Sequence, residues 1–312
     1  MGKQLEKIQA IGLGQACVDY LGTLPSYPQE DGKVELTDLQ MQCGGPASTA
    51  LVTLARLGIP TTFLGSISND PSGLRISENL KNEGVDVSCL KVTSGHTSQF
   101  AFIAVTKKMG NRTIFWHRGS VPHLKPKDVD IGFFSKAKIL HLDGLMIEAS
   151  MEAATQAKAL GMTVVLDAGT MRERSKKLVA LVDILIASER FATPLAGIEA
   201  TNEIALRTLH ELGPKQVVIT LGKKGSIGLN EQGIIVRQAA FQVRAKDTTG
   251  AGDVYHGAYI YGLLQGWDMP QCMRFASATA ALKCKKIGAQ TGIPELNSVY
   301  EFMKAHESDR NL

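Results

Sequence analysis

The stretch DTTGAGD, residues 247–253, runs directly into the helical pattern VYHGAYIYGLL, residues 254–264. Gly250, Ala251 and Gly252 have almost no side chains, so consecutive backbone N–H groups are left bare at a helix N-terminus, where the helix dipole adds positive potential. Such a place holds an anion. Asp253, alone in a first helical turn, would be no more than a favourable N-terminal charge. That reading leaves two glycines, a double threonine and a second aspartate within seven positions unexplained. Together these residues suit phosphoryl transfer: amides stabilise charge on the moving phosphate while the Asp253 carboxylate accepts a hydroxyl proton.

Outward from this segment, short apolar or β-branched runs alternate with longer helical patterns. Strands are expected at 8–14, 61–67, 138–142, 162–167, 183–187 and 216–220, and helices near 46–57, 71–83, 148–160, 201–212, 250–265 and 270–285. The alternation predicts an α/β fold with a mainly parallel sheet and helices on both faces. Asp70-Pro71 is a cap-and-start signal for a helix that Gly84 stops, and Gly161 follows the helix beginning near Glu148. Two segments break the rhythm: Lys33 to Gln42, and Ser98 to His117 around a Gly110-Asn111 turn, alternate apolar and polar residues. They predict half-exposed antiparallel strands forming a small β lid from about 18–43 and 97–120, inserted into one domain spanning 1–312. There is no internal repeat, low-complexity tract or linker.

The chain has 312 residues, 44% hydrophobic and 21% charged, which excludes fibrous, disordered and small disulfide-stapled classes. Its 34 basic and 30 acidic residues leave a net +4 with no basic stripe, so no nucleic-acid partner is expected. Cys17, Cys43, Cys89, Cys272 and Cys284 form no C-x-x-C pair and fit neither a disulfide framework nor a zinc site. No apolar leader and no long uncharged apolar stretch is present, so the expected location is cytoplasmic, without membrane contact. The loop around Gly12 and Gly14 has Cys17 where a dinucleotide fingerprint needs its third glycine, and LGKKGS at 221–226 lacks the order of a Walker A loop.

A second glycine cluster, CGGPASTA at 43–50, opens an early helix. It reads equally as a tight strand-to-helix turn or as a pocket where Gly44 and Gly45 let a polar ligand approach the backbone and Thr49 donates a hydrogen bond. With this segment beside DTTGAGDVYHGA, the chain resembles the PfkB (ribokinase-like) sugar kinase family, whose two signatures are a GG segment before an early helix and DTxGAGD late in the chain. The likeness extends through GSISNDPSG at 65–73, VITLGKKG at 218–225 and the segment from Ala280 to Pro294.

The resemblance implies ATP as phosphate donor, Mg²⁺, Asp253 as the base, and Gly250, Ala251 and Gly252 as the anion hole. It places Asp19, Gly44, Gly45 and Thr49 at the sugar, and Ser188, Thr220, Gly222, Gly225, Ala281, Lys283 and Gly288 along the nucleotide. Carbonyls of Asp247 and Thr249 match positions that bind a monovalent cation such as K⁺. Two departures stand out: Thr49 replaces a common asparagine, and SERF at 188–191 replaces N-x-x-E, leaving Glu189 as a shifted carboxylate that could reach Mg²⁺ through water.

The fragments YPQED at 27–31, GNRTIFWH at 110–117 and HLDG at 141–144 look most like the ketohexokinase and sulfofructose kinase branches. That implies a ketose phosphorylated on a primary hydroxyl, with Asp31 on sugar hydroxyls and Lys33 near an anionic group; the same EDGK segment also reads as a solvated turn. The competing readings are a nucleoside kinase of the same fold and a non-catalytic sugar or nucleotide sensor. Exposed lid strands pair readily across a two-fold axis, so a homodimer through the lid is expected.

Overall fold

The structure, a computed structural model, describes residues 7–107, 112–134, 136–197 and 199–306. The Gly110-Asn111 turn lies outside them. The chain begins with β1 (Ala10–Leu13), β2 (Cys17–Leu24) and β3 (Asp38–Gly44), then α1 (Pro46–Arg56), β4 (Thr61–Ile67), α2 (Pro71–Asn82) and β5 (Leu90–Val92). It continues through β6 (Phe100–Thr106), β7 (Arg112–His117), β8 (Ile139–Leu142), α3 (Ile147–Ala159), β9 (Thr163–Ala168), α4 (Ser175–Val179), β10 (Ile184–Ser188) and α5 (Glu189–Ala196). The last part holds α6 (Asn202–His210), β11 (Gln216–Thr220), β12 (Ser226–Leu229), β13 (Ile235–Gln238), α7 (Ala251–Leu264), α8 (Met269–Cys284) and α9 (Leu296–Ala305).

Among the described residues, nine strands form one sheet in the order β13-β12-β11-β10-β9-β8-β1-β4-β5. Its pairs from β11 to β5 are parallel, and β12 and β13 close one edge as an antiparallel hairpin. Side chains of a strand alternate between faces, and here successive residues enter two different cores. Leu185 and Ala187 of β10 pack with α3, α5 and α6, while Ile184 and Ile186 pack with α1, α7 and α8. Both faces are thereby covered, as a parallel sheet requires. Asp70 caps α2 as expected, its Oδ1 accepting from the Gly73 N–H at 2.9 Å.

The second sheet has the order β3-β2-β6-β7. Both outer pairs are antiparallel, and β2 lies parallel to β6 from Val18 opposite Phe100 to Leu24 opposite Thr106. The pairing places Asp19, Gln42, Ala101 and Trp116 side by side on one face, and Tyr20, Met41, Phe102 and Phe115 on the other. The strand expected from Lys33 starts only at Asp38, and residues 33–37 form irregular, mostly exposed chain. Strand β2 gives no clear alternation because most of it is buried on both sides. Among the described residues no helix is long and apolar enough to cross a membrane.

Candidate active site

Helix α7 starts with Gly250 in the left-handed region, φ +74°, and a Cβ there would press on the Ala289 backbone at 2.9 Å. Only glycine turns the chain this way without strain in so little space. The Ala251 N–H folds back onto the Thr248 carbonyl at 3.2 Å. The sequence expectation that it serves the anion hole is therefore corrected: the donors left free by helix geometry are the amides that follow, on Gly252 and Asp253. Upstream, Asp247 Oδ1 accepts from the Thr249 N–H (2.8 Å) and hydroxyl (2.7 Å), and Oδ2 accepts from the Gly288 N–H (2.7 Å). Burial alone would raise the Asp247 pKa; the Thr249 hydroxyl, the Lys283 charge and the two amides outweigh it and hold the carboxyl below its ordinary value.

Two cavities flank this helix end. The first, of about 420 Å³, is lined by Asp253, Asp143, Asp167, Arg172, Ile114 and Trp116 among others. The second, of about 290 Å³, is lined by Ala251, Gly252, Thr220, Gly222, Gly225, Phe241, Tyr255 and Ala281 among others. Adjacent residues, Gly252 and Asp253, thus face different chambers. The first is acidic: Asp143 follows β8 and Asp167 lies near the end of β9, at the carboxyl edge of the parallel strands, where α/β sheets place ligands.

Asp143 accepts from the N–H groups of Gln15 (2.6 Å) and Leu145 (3.0 Å), yet burial still pushes it up to about 6. Burial, then the neighbouring Asp143, pushes Asp167 up to about 8. Burial, then the charge of Asp167, pushes Asp253 up to about 7, against the opposing pull of His256. His256 sits beneath them, Nδ1 at 2.7 Å from the Gly252 carbonyl, Nε2 at 3.2 Å from the Ile186 carbonyl and 3.5 Å from Asp167 Oδ1. Burial pulls His256 below its ordinary value.

Of the residues expected at the sugar, Asp19 is buried on β2, accepts from the Cys17 thiol at 3.1 Å and is near enough for its charge to raise Asp253. A Cβ on Gly44 would overlap the Asp19 carboxylate, and Gly45, at φ +102°, begins the turn into α1. Thr49 is a correction: it is fully buried and accepts from Gln290 Nε2 at 3.4 Å, away from either cavity. Asp31 and Lys33 are exposed on the β2–β3 connection and line neither cavity.

Of the nucleotide set, Thr220, Gly222, Gly225 and Ala281 line the second cavity. Ser188, Lys283 and Gly288 do not. Ser188 caps α5, its hydroxyl accepting from the Phe191 N–H and donating to the Gly169 carbonyl; Lys283 is buried with Nζ donating to the Asp247 carbonyl at 3.0 Å; Gly288 holds the Asp247 carboxylate. Glu189 is exposed at the start of α5 and lines neither cavity, so it does not fit the role of Mg²⁺ carboxylate. The expected monovalent cation does not fit either, because the Asp247 carbonyl already faces an ammonium.

The sequence reading missed Asp143, Asp167 and Arg112. The first two were signalled by acidic residues ending predicted parallel strands. Arg112, on β7, donates to the Thr248 hydroxyl at 2.6 Å and approaches the Thr249 hydroxyl at 3.5 Å, joining the small sheet to the loop that opens α7.

A buried carboxylate titrating near neutrality, beside bare helix amides and between two chambers, is equipped to move a phosphoryl group onto a hydroxyl. Comparison with known proteins agrees. Residues 9–296 match the profile of the pfkB family carbohydrate kinases. The chain is 30% identical to a ribokinase of Haemophilus influenzae, with 94% of this chain and 97% of that protein covered, and 28% identical to a 5-dehydro-2-deoxygluconokinase of Shouchella clausii, with 96% and 95% covered. A solved structure of Arabidopsis thaliana ribokinase complexed with ribose and ATP superposes with a TM-score of 0.84 at 27% identity, covering 95% of this chain and 99% of that one. The chain belongs to the pfkB family and is an ATP-dependent carbohydrate kinase with the ribokinase-like fold.

Proposed function

We propose that this kinase transfers the γ-phosphoryl group of ATP to a primary hydroxyl of a small sugar, a ketose. The sugar occupies the acidic chamber and the nucleotide the chamber bounded by Phe241, Tyr255 and Ala281. The observation that carries this reading is the division of one helix terminus between the two: Gly252 faces the donor side and Asp253 the acceptor side. With its carboxyl near 7, Asp253 takes the hydroxyl proton as the oxygen attacks, and the first-turn amides of α7 meet the charge on the transferring phosphate. Magnesium bound with the triphosphate would supply charge neutralisation on the phosphates beside the first-turn amides of α7.

The ketose assignment draws on the likeness of GNRTIFWH and HLDG to ketohexokinase-type sequences. Trp116 and Ile114 at the first chamber favour, as a second reading, an acceptor with a flat apolar face such as a nucleoside. A sensor has no use for a buried base. The small sheet serves as the lid over the sugar, and its outer face, where Leu39, Met41 and Phe115 are about half exposed, supports pairing of two lids in a homodimer. An ADP-release screen over ketoses, aldoses, acidic sugars and nucleosides tests the assignment: highest kcat/KM on a neutral ketose supports it, and highest kcat/KM on a nucleoside or an aldose overturns it.

A further inference from the structure

We propose that the Lys283 ammonium is the resident cation of the loop that opens α7, and that this enzyme therefore needs no alkali ion for phosphoryl transfer. The inference rests on the phosphotransfer reading of the same site. Lysine is almost never fully buried without a partner. Lys283 lies in the last turn of α8, fully buried, and its Nζ donates to the Asp247 carbonyl at 3.0 Å.

Every other polar atom of Asp247 is also held. Its N–H donates to the Cys284 carbonyl at 3.2 Å, Oδ1 accepts from Thr249 and Oδ2 from Gly288. The segment from Lys283 to Gly288 thus clamps the residue from which the loop climbs through Thr248 and Thr249 to Gly250. An alkali ion in such a loop binds carbonyl oxygens and supplies one positive charge. The tethered ammonium supplies the same charge to the same class of oxygen, and it excludes a free ion by volume and by repulsion.

The charged groups felt by Lys283 are Asp247, Asp253 and Arg112. With the Asp247 carboxyl held below its ordinary value and the guanidinium exposed on β7, the site retains the counter-charge that keeps an ammonium there. Lys283 acts through the loop and touches neither chamber, so it is a positioning residue.

The test compares KCl with tetramethylammonium chloride at fixed ionic strength, reading kcat, the KM for ATP and the thermal midpoint of the nucleotide-free protein. Wild type is expected to show the same kcat and midpoint in both salts. Lys283→Met is expected to lose kcat by about tenfold or more, the scale of removing a charged hydrogen-bond donor from a buried acceptor, with little change in the KM for ATP. Lys283→Ala, which leaves room for an ion, is expected to recover several-fold in kcat and to gain thermal midpoint in K⁺ over tetramethylammonium. A K⁺-induced rise in wild-type kcat or midpoint overturns the proposal, as does wild-type kcat in Lys283→Met or equal impairment of Lys283→Ala in both salts. Should neither variant fold, the wild-type salt series alone decides. The midpoint needs no turnover, so that arm stays decisive even if the phosphotransfer reading fails.

Discussion

The carboxyls of Asp253 and Asp167 set opposite pH demands on activity and on stability. In the proposed role of base Asp253 must be ionised, so kcat/KM is expected to fall as the pH drops below about 7, where it takes up its proton. Asp253→Asn should lower kcat by about 10² or more while leaving sugar affinity nearly intact, which binding calorimetry and steady-state kinetics check together. Stability runs the other way. The unfolded chain releases these protons near 3.8, the folded one only at about 7 for Asp253 and about 8 for Asp167. Between those values the folded state binds more protons, so stability falls as the pH rises through the window and levels off above it. Asp167→Asn removes the larger of the two shifts and should raise the thermal midpoint at pH 9 by roughly 2 °C or more, an unchanged or lower midpoint counting against the buried-charge account. The place of Asp253 in the first turn of a helix was legible from its seven-residue context. Asp167 was missed, because its one local signal, a place at the end of an expected strand, gains meaning only from the neighbouring strand that brings Asp143 beside it.

At the scale of elements, the start of α7 separates a glycine confined by packing from one facing open space. Gly250 is confined by Ala289, whereas a Cβ on Gly252 would meet nothing within 4 Å and would project into open space. Gly252→Val should therefore fold with a near wild-type circular dichroism melt and still lose phosphoryl transfer by about 10² or more, the scale of disabling an anion-hole donor. Retained turnover would reduce the glycine to a packing role. Helices α1, α2, α3, α6, α7 and α8 and the parallel strands β1, β4 and β8 to β11 were readable because capping signals and apolar runs are local, as at Asp70-Pro71, whereas α4, α5, α9 and the short β5 were not among the expected elements. The hairpin of β12 and β13 and the true start of β3 were not readable either, since residues 33–37 alternate like a strand, yet only Thr37 reaches the Thr23 carbonyl and the ladder itself begins with Asp38 opposite Thr23. Thr49 and Lys283 were misplaced for a related reason: only the folded chain shows that Gln290 and Asp247 have already engaged them.

At the scale of the whole molecule, the outer face of the small sheet gathers Tyr20, Leu39, Met41, Phe102 and Phe115 across four strands. Leu39 is 56% and Phe115 54% exposed, an apolar surface that a second copy of the same sheet would cover. Sedimentation of wild type should report a dimer, and Phe115→Asp a monomer that keeps its fold; a wild-type monomer at micromolar concentration would remove the lid from the interface.

The pairing of β2 with β6, Val18 opposite Phe100, joins segments between which the chain builds two strands of the other sheet. Closing the loop between those segments costs entropy that the contacts of the small sheet must offset. Its own buried cluster is small, Leu21, Ala101 and Ile103 with Val105 against them. Native-state amide exchange should accordingly find β6 opening by a low-energy local route while β10 exchanges only through global unfolding. Slow protection of both strands alike would show one cooperative unit, whereas the expected split would let sugar enter without disturbing the frame that holds α7.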